Sequence, residues 1–302
     1  NFKAATAHDA NINVVVTGTA KVAQAAAIVN DGAEGTAGTA DFSNAGITDA
    51  IASMINAGAD GIHADLASVI GHDGNVGITS NNGGTVAQIN FIKAATGYTG
   101  VITATMTDDA ANLANLNTDS DDQLTLTLNA GTGTATQLLA ISAATGVAVN
   151  AGAINNITGT ASNIVLVIDD TNITKAADYA VTASGNIDVA TAKKIAAATQ
   201  GQVDFSGSIT GDASTMAAAV DGTITSDFGI ATDGDDATKG DGGVAVTVSG
   251  ATNVDQAETI ADATSGTVQF GNGITDAVAK FASTAGTLTA NFKAATAHDG
   301  DI

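Results

Sequence analysis

The sequence predicts a repeat solenoid, β-rich with short Ala-rich helices, on three observations. Residues 1–9 read NFKAATAHD and residues 291–299 read NFKAATAHD again, an offset of 290 residues (291 less 1). Ala-rich segments with apolar residues three or four apart recur along the chain, each closed by glycine. β-forming stretches lie on either side of those segments. Ile12 and Ile302 agree at the same offset as the nonapeptide. Residues 1–290 therefore read as one long-period repeat and residues 291–302 as the start of the next copy, as if cut from a longer array.

The helical segments are VAQAAAIVNDGAEG (22–35), VAQINFIKAATG (86–97), ATQLLAISAATG (135–146), VATAKKIAAATQG (189–201) and VDQAETIADATSG (254–266). The spacing predicts a short amphipathic helix in each, stopped by its final glycine. Strands are expected after the glycines at 101–107, 147–152, 202–209 and 267–274. They are also expected before most of the helices, at 12–19, 123–131, 178–185 and 243–250. Segments such as GITDAIASM (46–54) and GITDAVAKF (273–281) complete the unit, giving about five degenerate strand–helix–strand units with variable loops. Strands separated by helices form parallel sheets with right-handed crossovers. Helices this short need stacking to be stable. A pure parallel β-helix is the alternative; the helical spacing in KKIAAATQG and QLLAISAATG favours the mixed form.

Composition supports thin layers rather than a thick core. Hydrophobic residues make up 44% of the chain but aromatics only 3%, with 35 Gly and no Trp, Pro or Cys. Without Cys there is neither a disulfide frame nor a thiolate nucleophile. All nine basic residues are Lys, against 31 acids; removing Glu34 and Glu258 from the 31 leaves 29 Asp. Asp favours turns, caps and Ca²⁺ loops, whereas Glu favours helix interiors. A net charge of −22 repels nucleic acid and anionic membranes, so nucleic-acid binding is excluded. No apolar run reaches the roughly 20 residues that span a bilayer. Any targeting signal is expected outside this segment.

Two acidic stretches are candidate Ca²⁺ ligands: Asp119, Asp121 and Asp122 before a strand, and Asp233, Asp235, Asp236 and Asp241 in a Gly-rich loop. Alternate carboxylates in a flexible loop can supply several of the six to eight oxygens Ca²⁺ takes. Neither stretch fits an EF-hand, the repeat nonapeptide of Ca²⁺-binding β-rolls is missing, and solvated turns are the simpler reading of both. His63 beside Asp65 and His72 beside Asp73 resemble fragments of a metal site; exposed loop histidines are the simpler reading, as for His8 and its duplicate His298. Neither a GxSxG elbow nor a phosphate loop occurs, and no catalytic residue is expected. Outward Thr at 125–128 and 245–250 is expected to be ordinary sheet-forming Thr, not repeated in strict register.

The succession of Ala-rich helix, TG or QG stop, β-strand and Thr/Asp-rich turn resembles the low-complexity repeats of very large bacterial surface proteins. The nearest likeness is to the giant cell-surface proteins of marine cyanobacteria, with surface-layer proteins and secreted adhesins behind them. That resemblance covers roughly residues 20–286. It implies an extracellular, acidic, Ca²⁺-dependent structural protein with no catalytic residues. The expected function is a structural segment forming a filament, surface layer or stalk, partnered by identical repeats or subunits. The alternative is a Ca²⁺-stabilised adhesion module that binds a partner surface or glycan.

Overall fold

The computed structural model describes residues 12–30, 39–220, 222–232 and 243–297. In chain order the elements are β1 (Val14–Val15), α1 (Val22–Asn30), β2 (Ala40–Asp41), β3 (Ile47–Asp49), α2 (Ile51–Met54), α3 (Ala64–His72), β4 (Ile78–Ser80), α4 (Val86–Lys93), β5 (Ile102–Asp108), α5 (Ala110–Leu113), β6 (Gln123–Leu128) and β7 (Gly131–Thr134). There follow α6 (Ala135–Ala143), β8 (Val149–Ala151), β9 (Ile154–Thr160), α7 (Ala161–Asp169), β10 (Ile173–Lys175), β11 (Ala180–Ser184), β12 (Ile187–Asp188), α8 (Val189–Ala197), β13 (Val203–Phe205) and β14 (Ser208–Gly211). The last are α9 (Ala213–Met216), α10 (Ser226–Thr232), β15 (Ala245–Val248), α11 (Val254–Asp262), β16 (Val268–Phe270), α12 (Val278–Phe281) and α13 (Ala290–Ala297). The fold is α/β with parallel sheets, the mixed form.

The chain divides into two compact units, Asn1–Asn129 with Gln137–Ala151 and Asn172–Thr174, and Ala130–Thr136 with Gly152–Thr171 and Lys175–Ile302. The first holds the pair β1-β2 and a six-stranded sheet ordered β10-β8-β6-β5-β4-β3. The second holds two four-stranded sheets, β13-β11-β9-β7 and β12-β14-β15-β16. Within each sheet the neighbours are strands from successive passes of the chain, paired parallel, as in Ile47↔Ile78↔Ile102 and Ile209↔Val246↔Val268.

The helices form where predicted, with one face buried. Val254, Ala257, Ile260 and Ala261 are buried on α11, and Val189, Ala192, Ile195 and Ala196 on α8, the i, i+3, i+6, i+7 spacing of a helix face. Each buried Val or Ile contributes roughly 1.5–3 kcal/mol. Gln at the third helical position closes a capping box with Thr85 on α4 and with Asn253 on α11, which explains the recurring VAQ and VDQ. Among the described residues six helices, α3, α5, α7, α9, α10 and α13, lie in stretches where the sequence reading placed none.

Gly35 lies outside the described residues, and the other glycines expected as helix stops divide into two kinds. Gly97 takes φ +84°, as a left-handed stop requires. Gly146, Gly201 and Gly266 do not take positive φ. They lie where the chain crosses the preceding pass: a Cβ on Gly201 would overlap the carbonyls of Asp178 and Tyr179, and one on Gly266 those of Gly243 and Val244. The threonine two residues before Gly201 and Gly266, and one before Gly146, makes the crossing bond. The buried Thr199 hydroxyl donates to the Tyr179 carbonyl and accepts from the Gly201 N–H (2.9 Å). Thr264 repeats this with Val244 (2.6 Å) and Gly266 (2.9 Å), and Thr145 with Leu124 (2.8 Å) and Val147 (3.1 Å).

A longer motif occurs three times, at residues 42–72, 205–232 and 270–297. Each begins at Phe42, Phe205 or Phe270 and runs through GITDA, SITGD or GITDA into a short helix (α2, α9, α12). Antiparallel bridges follow at Ile55↔Ile62, Ala217↔Ile224 and Ala282↔Leu288, and the closing helices α3, α10 and α13 pack on α1, α8 and α11 respectively. Residues 291–297, from the second copy of the duplicated nonapeptide, lie within α13; the first copy lies outside the described residues.

Thr199→Val is expected to lower stability by about 1–3 kcal/mol, because the Tyr179 carbonyl and Gly201 N–H lose a buried partner. Thr199→Ser should restore most of it. Gly266→Ala is expected to cost about 1–3 kcal/mol by overpacking against backbone. Urea unfolding midpoints at unchanged slope check all three; equal midpoints for the Val and Ser variants would rule out the hydroxyl bond.

Candidate functional site

Among the described residues of the first unit, a lysine meets two carboxylates where α4 faces the turn before β6. Lys93, in the last turn of α4, reaches Asp122 Oδ2 at 2.8 Å and Asp119 Oδ2 at 3.1 Å. Asp122 is fully buried; its Oδ1 accepts the Ile102 N–H (2.7 Å) and its Oδ2 the Asp119 N–H (3.1 Å). Asp121 is exposed, and its N–H donates to Asp119 Oδ1 (3.0 Å). The oxygens of Asp119 and Asp122 are thus turned on an ammonium and on backbone donors. Asp233, Asp235, Asp236 and Asp241, the other expected Ca²⁺ ligands, lie outside the described residues. Among the described residues no group of three His, Asp or Glu side chains is gathered as for a metal ion.

Electrostatics follow from this geometry. Burial pulls the Lys93 ammonium down, but the hydrogen bonds and charges of Asp122 and Asp119 outweigh it and hold it above the usual lysine value of 10.5. The Lys93 hydrogen bond, then the Asp121 N–H, holds the Asp119 carboxyl below its usual 3.8. Burial, then the Asp122 charge, pushes the Tyr98 phenol up, and its hydroxyl has no hydrogen-bond partner. A raised lysine contributes stability below its unfolded pKa and loses it as pH rises through the folded one. A depressed carboxyl contributes above its unfolded pKa and loses that as pH falls. The cluster is therefore most stabilising between about pH 4 and pH 10.

Two clefts open in the second unit. One, about 560 Å³, is lined by Asp188, Thr210, Asp212, Thr215, Thr225 and Asp227. Its three carboxylates are held by structural partners. Asp188 caps α8 through the Thr191 N–H (2.7 Å), Asp212 accepts the Ser249 hydroxyl (3.1 Å), and Asp227 pairs with Lys193 (2.6 Å). The other, about 600 Å³, is lined by Thr160, Leu166, Ser184, Asn186 and Asp188 among others. Both present hydroxyls and carboxylates suited to weak polar contacts. Among the described residues neither cleft is lined by a histidine that could act as an imidazole base.

The histidines sit at the two ends of α3 rather than in loops. His63 is its N-cap and accepts the Asp65 N–H at 3.2 Å, while exposed His72 in its last turn meets the Ser68 carbonyl at 3.0 Å. His8 and His298 lie outside the described residues. The threonines are in stricter register than expected: Thr48↔Thr79↔Thr103, Thr105↔Thr125 and Thr107↔Thr127 stand opposite one another in the six-stranded sheet. β-branched pairs of this kind stabilise a sheet directly. The sequence reading missed Lys93, which lies 29 residues from Asp122. It also passed over the clasping threonines, although Thr before the glycine in ATG, ATQG and ATSG was a visible signal.

Lys93→Met is expected to cost about 3–5 kcal/mol, since Asp122 would be left charged and buried without its counter-ion. Adding Asp122→Asn should recover part of that loss. Chemical unfolding at neutral pH reads both, and a loss below about 1 kcal/mol would class the cluster with surface pairs. The wild-type chain should also lose stability above pH 10.5 more steeply than Lys93→Met.

Comparison of the chain with protein families, with curated proteins and with solved structures finds no match.

Proposed function

We propose that this chain is a structural segment of an extracellular tandem-repeat protein that forms a filament, surface layer or stalk, with identical neighbouring repeats or subunits as its partners. The observation that carries this reading is NFKAATAHD, present at 1–9 and again at 291–299. Duplicated segments of this kind belong to arrays, in which each unit buries its open face on the next. Two features support it. One arrangement of phenylalanine, GITD-type turn, short helix, hairpin and closing helix recurs three times between residues 42 and 297. The carboxylates that line the clefts serve helix capping (Asp188), a hydrogen bond from a serine hydroxyl (Asp212) and ion pairing (Asp227), which are scaffold roles.

The charge of −22 gives the material a colloidal behaviour that can be measured. At about 0.01 M salt the Debye length is roughly 30 Å and like-charged copies repel; at about 0.15 M it is roughly 8 Å. Association is therefore expected to strengthen with salt, opposite to a complex held by ion pairs. Electron micrographs of the native material, taken across that salt range, are expected to contain long uniform fibres or sheets. Dispersed single particles at every ionic strength would refute the scaffold reading.

A further inference from the structure

The three copies of the long motif are not equally covered. In the first, Ile47, Ile51 and Met54 are buried (0%, 8% and 0% exposed); in the second, Ile209, Ala213 and Met216 are buried (0%, 1% and 0%). In the third, the equivalent Ile274 and Phe281 are partly exposed and Val278 is 80% exposed. The difference is one strand. The first copy is covered by β4, paired Ile47↔Ile78, Thr48↔Thr79 and Asp49↔Ser80. The second is covered by β15, paired Ile209↔Val246, Thr210↔Thr247 and Gly211↔Val248. Among the described residues Ile274 is bridged on one side only, to Thr252.

The covering strands share a sequence, and it occurs a third time. VGITSNNGGTVAQ (76–88) and VAVTVSGATNVDQ (244–256) align without a gap on INVVVTGTAKVAQ (12–24). The alignment ends on Gln24, Gln88 and Gln256, each of which turns back to the N–H three residues earlier (3.0, 2.9 and 3.3 Å). The backbone agrees with it. The N–H groups of Val14, Ile78 and Val246 donate to the following pass at Thr39, Val101 and Thr267 (2.8, 2.9 and 2.8 Å). Toward the preceding pass, Asn81 donates to Asp49 and Ser249 to Gly211, both at 3.0 Å. Among the described residues β1 pairs only with β2, on its following side, which leaves its preceding side open. Val15 there is 59% exposed. In the array sequence the nonapeptide that contributes to α13 is also the segment that precedes Ile12.

We infer that residues 274–276 of one copy receive β1 of a second copy as the missing parallel strand. The register is Ile274↔Val14, Thr275↔Val15 and Asp276↔Val16, with the Thr17 N–H donating to the Asp276 carbonyl. Docking covers Ile274, Val278 and Phe281 as β4 and β15 cover their counterparts. It satisfies two strand edges at once, edges which otherwise template unspecific pairing. The occupant is a second copy of this chain, because among the described residues only 12–24 carry this alignment with an open preceding edge. The inference deepens the scaffold reading and rests on it for the partner's identity.

Cysteine trapping tests the register, since the chain has no Cys of its own. Thr275 and Val15 are both exposed, so Thr275→Cys and Val15→Cys should fold as the parent does. Mixed in a glutathione redox buffer, they should form a heterodisulfide about tenfold in excess of that from Thr275→Cys with Thr17→Cys, whose Cα atoms would lie beyond bridging distance. Val278→Asp, placed on the Thr275→Cys chain, should abolish the excess while leaving the melting temperature of the isolated chain unchanged. Equal trapping at positions 15 and 17, or none at either, would overturn the docking. Fibres in the micrographs together with that result would leave the scaffold reading standing, and specific trapping without fibres would leave the docking standing alone.

Discussion

Hydrogen bonding between one pass of the chain and the next is the constraint on which the rest of this fold depends. Among the described residues the strands run from two to seven residues and the helices from four to nine. Neither length is stable alone in water. Each element exists because a neighbouring pass supplies ladder partners and an apolar face. The corner where the chain crosses back is where that demand is hardest to meet, because a helix has just ended and its last carbonyls and the next N–H groups are both turned inward. The chain meets it with a side chain directed at the pass before, at a sequence distance of 20 to 31 residues: Thr199 to Tyr179, Thr264 to Val244, Thr145 to Leu124, Asp122 to Ile102 and Asp73 to Phe42.

Two chemistries thus serve one position, with different consequences. A threonine hydroxyl both donates and accepts, so it bridges a carbonyl and an N–H and leaves no charge behind. A carboxylate only accepts, and once buried it needs a cation. Asp122 is the case in point, and Lys93 is the cation. The glycine that follows each threonine is part of the same device, since only a residue without a Cβ lets the two backbones approach closely enough for the hydroxyl to reach.

The elements legible in the sequence were those whose signal is local. Apolar spacing, an Ala-rich interior and a closing glycine marked α1, α4, α6, α8 and α11, because helix formation is read within one segment. The helix α7, ASNIVLVID, was overlooked because Ile, Val and Leu in succession look like a strand; Thr160 at its N-cap decides for helix. Strand 202–209 is in fact β13 and β14, split at Ser206 and Gly207 where the chain turns. GITDAIASM and GITDAVAKF were recognisable as a pair, but the middle copy SITGDASTM was missed because Gly211 replaces the aspartate of the other two. The acidic turn at 119–122 was seen as a group of ligands, while the lysine that answers it lies on another pass. Long-range pairing is the part of the site that local residue types do not encode.

The 29 to two preference for Asp over Glu, which composition alone left between turn chemistry and cation binding, has a concrete structural use. Asp49 and Asp276 each accept the next residue's N–H (2.9 and 2.7 Å) and, with the other oxygen, the first N–H of the helix one pass back (Val22 at 3.3 Å, Val254 at 3.2 Å). Asp188 caps its own helix, and Asp108 holds the Asp109 N–H at 2.8 Å. Each bond needs the carboxylate within one methylene of the backbone, because the donor belongs to an adjacent residue or an adjacent pass. An extra methylene would carry Glu past these donors and add rotamer entropy to be lost. A helix N-terminus also favours negative charge, so every such aspartate is placed where its charge is tolerated. The net charge of the chain is therefore in large part a by-product of how its corners are tied. The same chemistry that joins the passes makes the exterior acidic, so attraction between two like faces has to come from strand pairing and apolar cover rather than from charge.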